Sequence, residues 1–293
     1  MKVAVTGASG LVGTALVSAL RAAGHAVLTL TRGAADGPGE VAWDIERSSI
    51  DTASLEGVDA IVHLAGEDIG QRWTSSAREK ILRSRVDGTG LVARTAAALD
   101  PKPALVQASG IGFYGFDNPD ADESTNQGAG FAAEVVAAWE EAAAPARDAG
   151  VRWVALRKAP IVAKEGGAVA KMATPFKLGL GGRVGSGRQW WSWLSLEDAV
   201  RAYLHALETE LDGSFDVSAG AVTNLEYVKA LGRALGRPTV FPLPGLAVKT
   251  MFGQMGEEML LGGQKVGAER LEASGFAFKH RTLDQALTAA LGR

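Results

Sequence analysis

The chain reads as an α/β protein: a doubly wound parallel sheet followed by a smaller, mainly helical C-terminal lobe. Three observations predict this. Short apolar runs of strand length alternate with helical patterns through the first half, and a glycine-rich turn directly follows the first of those runs. Beyond the midpoint the alternation loosens into glycine-rich loops and further helical patterns. Strands that alternate with helices need right-handed crossovers, which put helices on both faces of a parallel sheet.

Residues 3–6 form the first buried strand. Leu11, Ala15, Leu16, Ala19 and Leu20 then recur at helical spacing, and Gly24 is a stop signal. Residues 26–30, 41–43 and 60–64 read as the next strands. A long helical pattern covers residues 75–99, with Leu82, Val86, Val92 and Leu99 near one face. Pro101 and Pro103 end it before a strand at 104–108, and a helix at 132–146 precedes a strand at 152–156. After Ile161, glycines crowd Gly166-Gly167 and residues 179–187, a composition suited to loops around a ligand. The expected division is a sheet domain at 1–160 and a substrate lobe at 161–293, with a helical module at about 243–291. One segment of the lobe is allowed to return to the sheet.

Composition narrows the chemistry. The 293 residues are 47% hydrophobic and 22% charged, enough to bury a sizeable core. A net charge of -3 gives no electrostatic basis for a nucleic-acid or anionic-membrane partner. With no cysteine, disulfides, thiolate metal sites and cysteine nucleophiles are excluded. The start shows no secretory leader and no run is long enough to span a bilayer, so a cytoplasmic protein is expected. His25, His63, His205 and His280 have no metal-ligand spacing, and no Gly-x-Ser-x-Gly elbow is present.

The turn Gly7-Ala8-Ser9-Gly10-Leu11-Val12-Gly13 carries the strongest chemical signal. It leaves a strand and opens a helix, where glycines let backbone N–H groups approach a pyrophosphate. Thr6 and Ser9 can add hydroxyl donors. A cofactor with a free ribose would be met by a carboxylate about 20 residues later. Here the second strand ends Leu30-Thr31-Arg32, and an arginine fork suits a 2′-phosphate, so NADP is the expected cofactor. Asp44 follows the third strand and reads equally as an adenine contact or a surface carboxylate. Leu64, Ala65 and Gly66 leave the fourth strand at the ligand-binding edge of the sheet, and His63 before them reads as a packed histidine.

Together these pieces resemble the extended short-chain dehydrogenase/reductase superfamily. More narrowly, they resemble its atypical "epimerase family" branch, a Rossmann domain followed by a small C-terminal domain of unknown function. The resemblance rests on the glycine turn, His63-Leu64-Ala65-Gly66-Glu67, Arg72-Trp73 and Ser84-Arg85-Val86-Asp87-Gly88-Thr89. It continues through Ala108-Ser109-Gly110-Ile111-Gly112-Phe113-Tyr114-Gly115, Trp139-Glu140, the segment from Gly179 to Trp193, and Leu260 to Phe278. It implies that Gly7, Ser9, Gly10, Leu11, Val12, Arg32, Leu64, Ala65 and Gly66 line the cofactor site. It also implies that Ser109 takes the active-site Ser/Thr position and that residues 157–161 pass near the nicotinamide.

The usual catalytic pair of that superfamily is missing. Its Tyr-x-x-x-Lys spacing puts both side chains on one helical face, so the ammonium lowers the phenol pKa from about 10. Four residues beyond Tyr114, Tyr203 and Tyr227 stand Asn118, Leu207 and Leu231, and the expected helix begins Phe131-Ala132-Ala133. Tyr114 is the remaining candidate acid, or a tyrosine packed over the site. Ser109 is a candidate to polarise a substrate oxygen, or a strand-end cap. Glu67, Arg72 and Arg188 offer further polar contacts. A tryptophan face from Trp190-Trp191-Ser192-Trp193 could stack on a ring, although Trp191 and Trp193 read rather as core. Lys158 and Lys171 read as solvated lysines unless the fold puts them in the cleft. The expected function is an NADP(H)-dependent oxidoreductase or epimerase acting on a small carbonyl or sugar-like substrate. The alternative is a catalytically silent NADP(H)-binding regulatory or scaffold protein. Related folds pair through helices, so a homodimer is compatible with the chain.

Overall fold

The computed structural model describes residues 1–33, 35–117 and 120–292, apart from the side chains of 168–171 and 173. Asn118 and the side chain of Lys171 therefore lie outside the described residues. The first crossover unit is β1 (Lys2–Thr6), α1 (Leu11–Ala22) and β2 (Ala26–Arg32), followed by β3 (Glu40–Asp44) and a short β4 (Ser49–Ile50). Next come β5 (Ala60–His63), α2 (Ser75–Ala98), β6 (Ala104–Gly110), β7 (Asp120–Ala121), α3 (Phe131–Glu141) and α4 (Ala144–Asp148). β8 (Trp153–Lys158), β9 (Ile161–Val162) and α5 (Gly167–Lys177) lead to β10 (Trp190–Ser195), α6 (Leu196–Glu208) and β11 (Gly213–Val217). The last elements are β12 (Gly220–Thr223), α7 (Asn224–Leu235), α8 (Gly245–Phe252), α9 (Gln254–Gly256), β13 (Lys265–Val266), α10 (Glu269–Ala273) and α11 (Leu283–Leu291). α9 runs directly into a wide π turn at Glu257–Leu261.

Eight strands form the main sheet in the order β11-β8-β6-β5-β1-β2-β3-β4. Every neighbouring pair is parallel except β3 with β4. From β1 the chain winds outward through β2 and β3, then returns to build β5, β6, β8 and β11 on the other side. The reversal falls between β1 and β5, where Thr6 lies opposite His63, and ligands of such sheets bind at this crevice.

Alternation of side chains along the strands separates two cores. Val3, Val5, Val62, Val106, Val154 and Leu156 turn toward Leu16 and Leu20 of α1 and Ala199 and Tyr203 of α6. Ala4, Ile61, Leu105 and Ala155 turn the other way, toward Leu91, Val92 and Ala96 of α2 and Ala146 of α4. This period of two makes the strands near-continuous apolar runs in sequence, since both faces are covered.

Two local differences from the sequence reading have clear causes. The helix expected at 132–146 is two helices, α3 and α4, because Pro145 lies in the first turn of α4 and has no N–H to continue the earlier ladder. The main sheet also draws on residues beyond 160. α6 covers one face and β11 supplies an edge strand, pairing Asp216 with Arg157 and Val217 with Lys158.

The remaining lobe is built on a three-stranded sheet, β12-β10-β9, with Phe176, Trp193, Tyr227, Leu231, Leu283 and Leu287 in its core. Trp193 is buried, and Trp191 meets Tyr227 edge-on at 5.3 Å, so both tryptophans pack. Capping boxes at Thr223/Glu226 and Thr282/Gln285 start α7 and α11 by satisfying N–H groups that an α-helix leaves open. Among the described residues no helix is long and apolar enough to cross a membrane. Nor, among them, do three or more His, Asp or Glu residues gather as a metal site.

Candidate active site

The glycine turn packs with no room to spare. Gly7 has φ 66°, and a Cβ there would stand 2.8 Å from the Ala65 nitrogen. At Gly13 a Cβ would lie 2.1 Å from the Gly7 carbonyl oxygen. Gly7 therefore permits close approach of the loop to the end of β5, and Gly13 lets α1 start directly beneath the loop. Gly10 is the N-cap of α1 and has no side chain to cap it, and the first turn holds no acidic residue. Ser9 and Gly10 are exposed, with Leu11 and Val12 half-buried behind them. A helix start that is open, uncapped and free of carboxylates is a place for a phosphate.

Thr6 ties the two central strands together at this point. Its Oγ1 accepts from the N–H groups of Leu64 at 3.1 Å and Ala65 at 3.3 Å, and lies 2.8 Å from His63 Nδ1. His63 is fully buried, and burial first, then the Arg85 guanidinium, lower its pKa to about 4. The imidazole is therefore neutral at pH 7, and its Nδ1 shares a hydrogen bond with the Thr6 hydroxyl. The Leu64 and Ala65 backbone is thereby held against Gly7, with Gly66 following beside Arg85.

Arg32 ends β2 on the exposed edge, with no carboxylate within ion-pair distance among the described residues. Asp44 closes β3, where its carboxylate accepts from the Arg47 N–H at 3.0 Å and lies 3.7 Å from the Arg47 Nε. The open helix start, the glycine cradle and the unpaired Arg32 together fit a dinucleotide with a 2′-phosphate.

A buried polar network lies under the ends of β6, β8 and β11. The Ser109 hydroxyl donates to Glu140 Oε1 at 2.6 Å, and Arg157 grips the same carboxylate through Nε at 2.8 Å and Nη2 at 2.7 Å. Ser214 donates to Glu140 Oε2 at 3.1 Å. Arg157 Nη1 donates to the Tyr114 hydroxyl at 3.0 Å, and Tyr114 donates in turn to Asp216 Oδ2 at 2.7 Å. The Arg157 guanidinium also stacks 3.6 Å from the centre of the Phe113 ring. Burial and then the Asp216 carboxylate push the Tyr114 phenol well above its usual range, and burial pushes the Asp216 carboxyl up to about 8. A buried bidentate pair such as Arg157–Glu140 costs about 3–5 kcal/mol when one partner is removed, since the other charge is stranded. The structure thus brings Ser109 and Tyr114 into one network, with the Ser109 hydroxyl committed to Glu140 and the Tyr114 hydroxyl to Asp216.

Lys158 corrects the sequence reading of a solvated lysine. It is part-buried, because the end of β8 is enclosed by α6, and its Nζ donates to the Tyr203 hydroxyl at 2.8 Å and the Ser109 carbonyl at 3.3 Å. Arg85 is buried on α2 and donates from Nη1 to the carbonyls of Glu67 at 2.9 Å and Ile81 at 3.1 Å.

The C-terminal module closes over the start of α3. Gly130 is the N-cap and offers no side chain, but both oxygens of Glu258 accept there, from Phe131 N–H and Ala132 N–H at 3.1 Å each. Gln254 donates to Glu258 at 2.7 Å and accepts from Arg78 at 2.7 Å. Arg72, in the loop after β5, donates at 3.2 Å to the carbonyls of Thr250 and Met251 at the end of α8. Arg188 is exposed on the far loop and takes no part in these contacts.

Sequence reasoning placed Arg157 only within a segment near the nicotinamide and missed its partners, as it missed Asp216, Glu258 and the pairing of Lys158 with Tyr203. A charge inside the apolar run Trp153–Lys158 is the one local signal, because a buried arginine demands an acidic partner. Glu258 lies 127 residues from Phe131, and no short-range pattern links them.

The model of the NAD-dependent epimerase/dehydratase family matches residues 3–218, and that of a domain of unknown function, DUF1731, matches residues 243–290. The chain is 41% identical to the epimerase family protein Mb2239 of Mycobacterium bovis over 99% of its length and 98% of that protein's. The crystal structure of human epimerase family protein SDR39U1 with NADPH superimposes with a TM-score of 0.91, at 35% identity, covering 100% of this chain and 99% of that one. A nucleoside-diphosphate sugar epimerase from Corynebacterium glutamicum superimposes with a TM-score of 0.83 at 31% identity. This chain spans 58% of that longer protein.

Proposed function

The chain belongs to the NAD-dependent epimerase/dehydratase family, and from that membership we propose that it binds NADPH across β1 and β5 and acts as an oxidoreductase or epimerase on a small carbonyl or sugar-like substrate. The observation that carries the cofactor is the open, uncapped start of α1 above the Gly7–Gly13 cradle, with exposed Arg32 at the end of β2 free of any carboxylate among the described residues. The human relative crystallised with NADPH supports the same choice. In this reading the N–H groups around Ser9, Gly10, Leu11, Val12 and Gly13 hold the pyrophosphate and Arg32 takes the 2′-phosphate. Asp44 borders the adenine, and Leu64, Ala65 and Gly66 floor the passage toward Ser109. When bound, the dihydronicotinamide supplies a hydride. Ser109 and Tyr114 shape the floor of the reaction chamber through their bonds to Glu140 and Asp216.

A second reading, an NADPH-binding regulator without turnover, is favoured by that same commitment of Ser109 and Tyr114. Fluorescence titration tests cofactor choice. Arg32→Asp is expected to weaken NADPH binding roughly tenfold or more while leaving NADH nearly unaffected, since only the former has a charge-assisted partner to lose. Equal losses for both cofactors would remove Arg32 from the site. Absorbance of bound NADPH during challenge with carbonyl compounds and nucleotide sugars then separates the two readings. Oxidation by any of them, or an inverted sugar carbon in product analysis (an epimerase returns its hydride and leaves no net oxidation), establishes turnover, and tight binding with neither favours the regulator.

A further inference from the structure

Lys158 is the titratable group at the ligand edge of the sheet to which the reading above assigns no task. It closes β8, and the alternation that turns Arg157 toward Glu140 turns Lys158 toward α6. Its Nζ is fixed by two donated bonds, to the Tyr203 hydroxyl of α6 and to the main-chain carbonyl of Ser109 on β6. The third Nζ position has no partner among the described residues, and none of their carboxylates lies within ion-pair distance. The groups facing it are Tyr203 from α6, the Ser109 carbonyl from β6 and the Arg85 guanidinium from α2. Arg157 on its own strand and Asp216 on β11 bond to groups on the opposite face. Burial, reinforced by Arg85, holds the ammonium pKa down to about 7, so the side chain exchanges a proton near neutrality. Tyr203 is fully buried in the α6 core, its phenol pushed up by burial, so it holds the amine without reaching a ligand.

Resting on the reading of a carbonyl-reducing or epimerising site, we propose that Lys158 is its proton-transfer residue and Tyr203 the positioning residue that aims it. In the reducing direction the carbonyl carbon receives a hydride from the dihydronicotinamide and the C=O π pair moves to oxygen. That oxygen takes a proton from the Lys158 ammonium, whose N–H pair stays on nitrogen as the neutral amine. Solvent then reprotonates the amine. The sum is carbonyl plus NADPH plus H⁺ to alcohol plus NADP⁺, and in the reverse direction the amine accepts the alcohol proton. A pKa near the working pH is what efficient proton exchange in both directions requires. Sequence spacing hides this arrangement, because Lys158 and Tyr203 stand 45 residues apart on different elements.

Trace acetylation of the intact protein with acetic anhydride, read by peptide mass spectrometry across neutral to alkaline pH, tests the proposal without needing a substrate. Lys158 is expected to label with a midpoint near 7, whereas a solvated lysine in general labels with a midpoint of about 10, and the peptide of exposed Lys229 serves as the reference. Saturating NADPH, with occupancy followed by its fluorescence, should suppress Lys158 labelling roughly tenfold and leave Lys229 unchanged. Tyr203→Phe should lower the Lys158 midpoint by about one pH unit through loss of the hydroxyl acceptor, a shift that a purely structural tyrosine would not cause. A midpoint matching Lys229, or labelling indifferent to bound NADPH, overturns the proposal. Absence of any NADPH fluorescence change instead overturns the cofactor reading on which it rests, and the two failures are told apart by that signal.

Discussion

His63 shows how a single side chain at the switch point links the site to stability. Its imidazole is held neutral by burial and by the Arg85 guanidinium, with a folded-state pKa of about 4 against 6.5 in its unperturbed form. The unfolded chain therefore binds a proton in a range where the folded chain refuses it. Stability contributed by His63 is complete above about 6.5, declines as the pH falls toward 4, and is flat below that, a loss on the order of 3 kcal/mol. Asp216 acts in the opposite sense. Its raised pKa of about 8 adds stability at acid pH that is lost as the pH rises from about 4 to 8. Because the two contributions oppose each other between pH 7 and pH 4, the test is the difference between the proteins: the urea midpoint of the parent relative to His63→Gln, which keeps a hydrogen-bonding partner for Thr6, should decline as the pH falls from 7 to 4. Parallel slopes would show that the buried imidazole is not the group responsible.

At the scale of elements, the β1–α1 turn is the part whose geometry is most local, and it was the part most legible in the sequence. Gly7, Gly10 and Gly13 act within one turn and its helix, so their spacing alone points to a phosphate cradle. Gly13→Ala puts a methyl carbon 2.1 Å from the Gly7 oxygen, and the loop must move to admit it. The expected result is a loss of about 1–3 kcal/mol in thermal or urea stability together with NADPH binding weakened by roughly tenfold or more. Unchanged binding in a folded variant would place the pyrophosphate elsewhere. The start of α3 is the contrary case. Phe131-Ala132-Ala133 looks chemically empty in sequence, yet Glu258 supplies the cap from the far end of the chain. Glu258→Ala should cost about 1 kcal/mol, the usual worth of an N-cap, and should raise hydrogen exchange at Phe131 and Ala132. The network of Ser109, Glu140, Arg157, Tyr114 and Asp216 was illegible for the same reason. Tyr114, in the turn after β6, and Asp216 on β11 are 102 residues apart, and only the assembled sheet brings them within hydrogen-bond distance.

Over the whole molecule, the fold class was readable because alternating strand and helix periods are a property of every segment. The limits of the sheet were less so, because membership of β11 depends on where a strand docks rather than on its own composition. A chain ending at Pro160 lacks Ser214 for Glu140 and Tyr203 for Lys158, and it exposes the apolar face that α6 covers. Such a fragment is expected to melt without cooperativity by circular dichroism, and a sharp transition would show that residues 1–160 fold alone. The cap that Glu258 places on α3 has a consequence for how the protein is made. On the ribosome the N–H groups of Phe131 and Ala132 emerge 127 residues before their acceptor is translated, an interval on the order of 10 s at ordinary elongation rates. Through that interval the nascent chain carries an unfinished helix start beside the uncovered apolar side chains of Trp73, Phe131 and Met255's future seat. A module synthesised well after the sheet strands thus seals the middle of the chain, and a stalled or prematurely ended polypeptide would present that seam to chaperones and proteases.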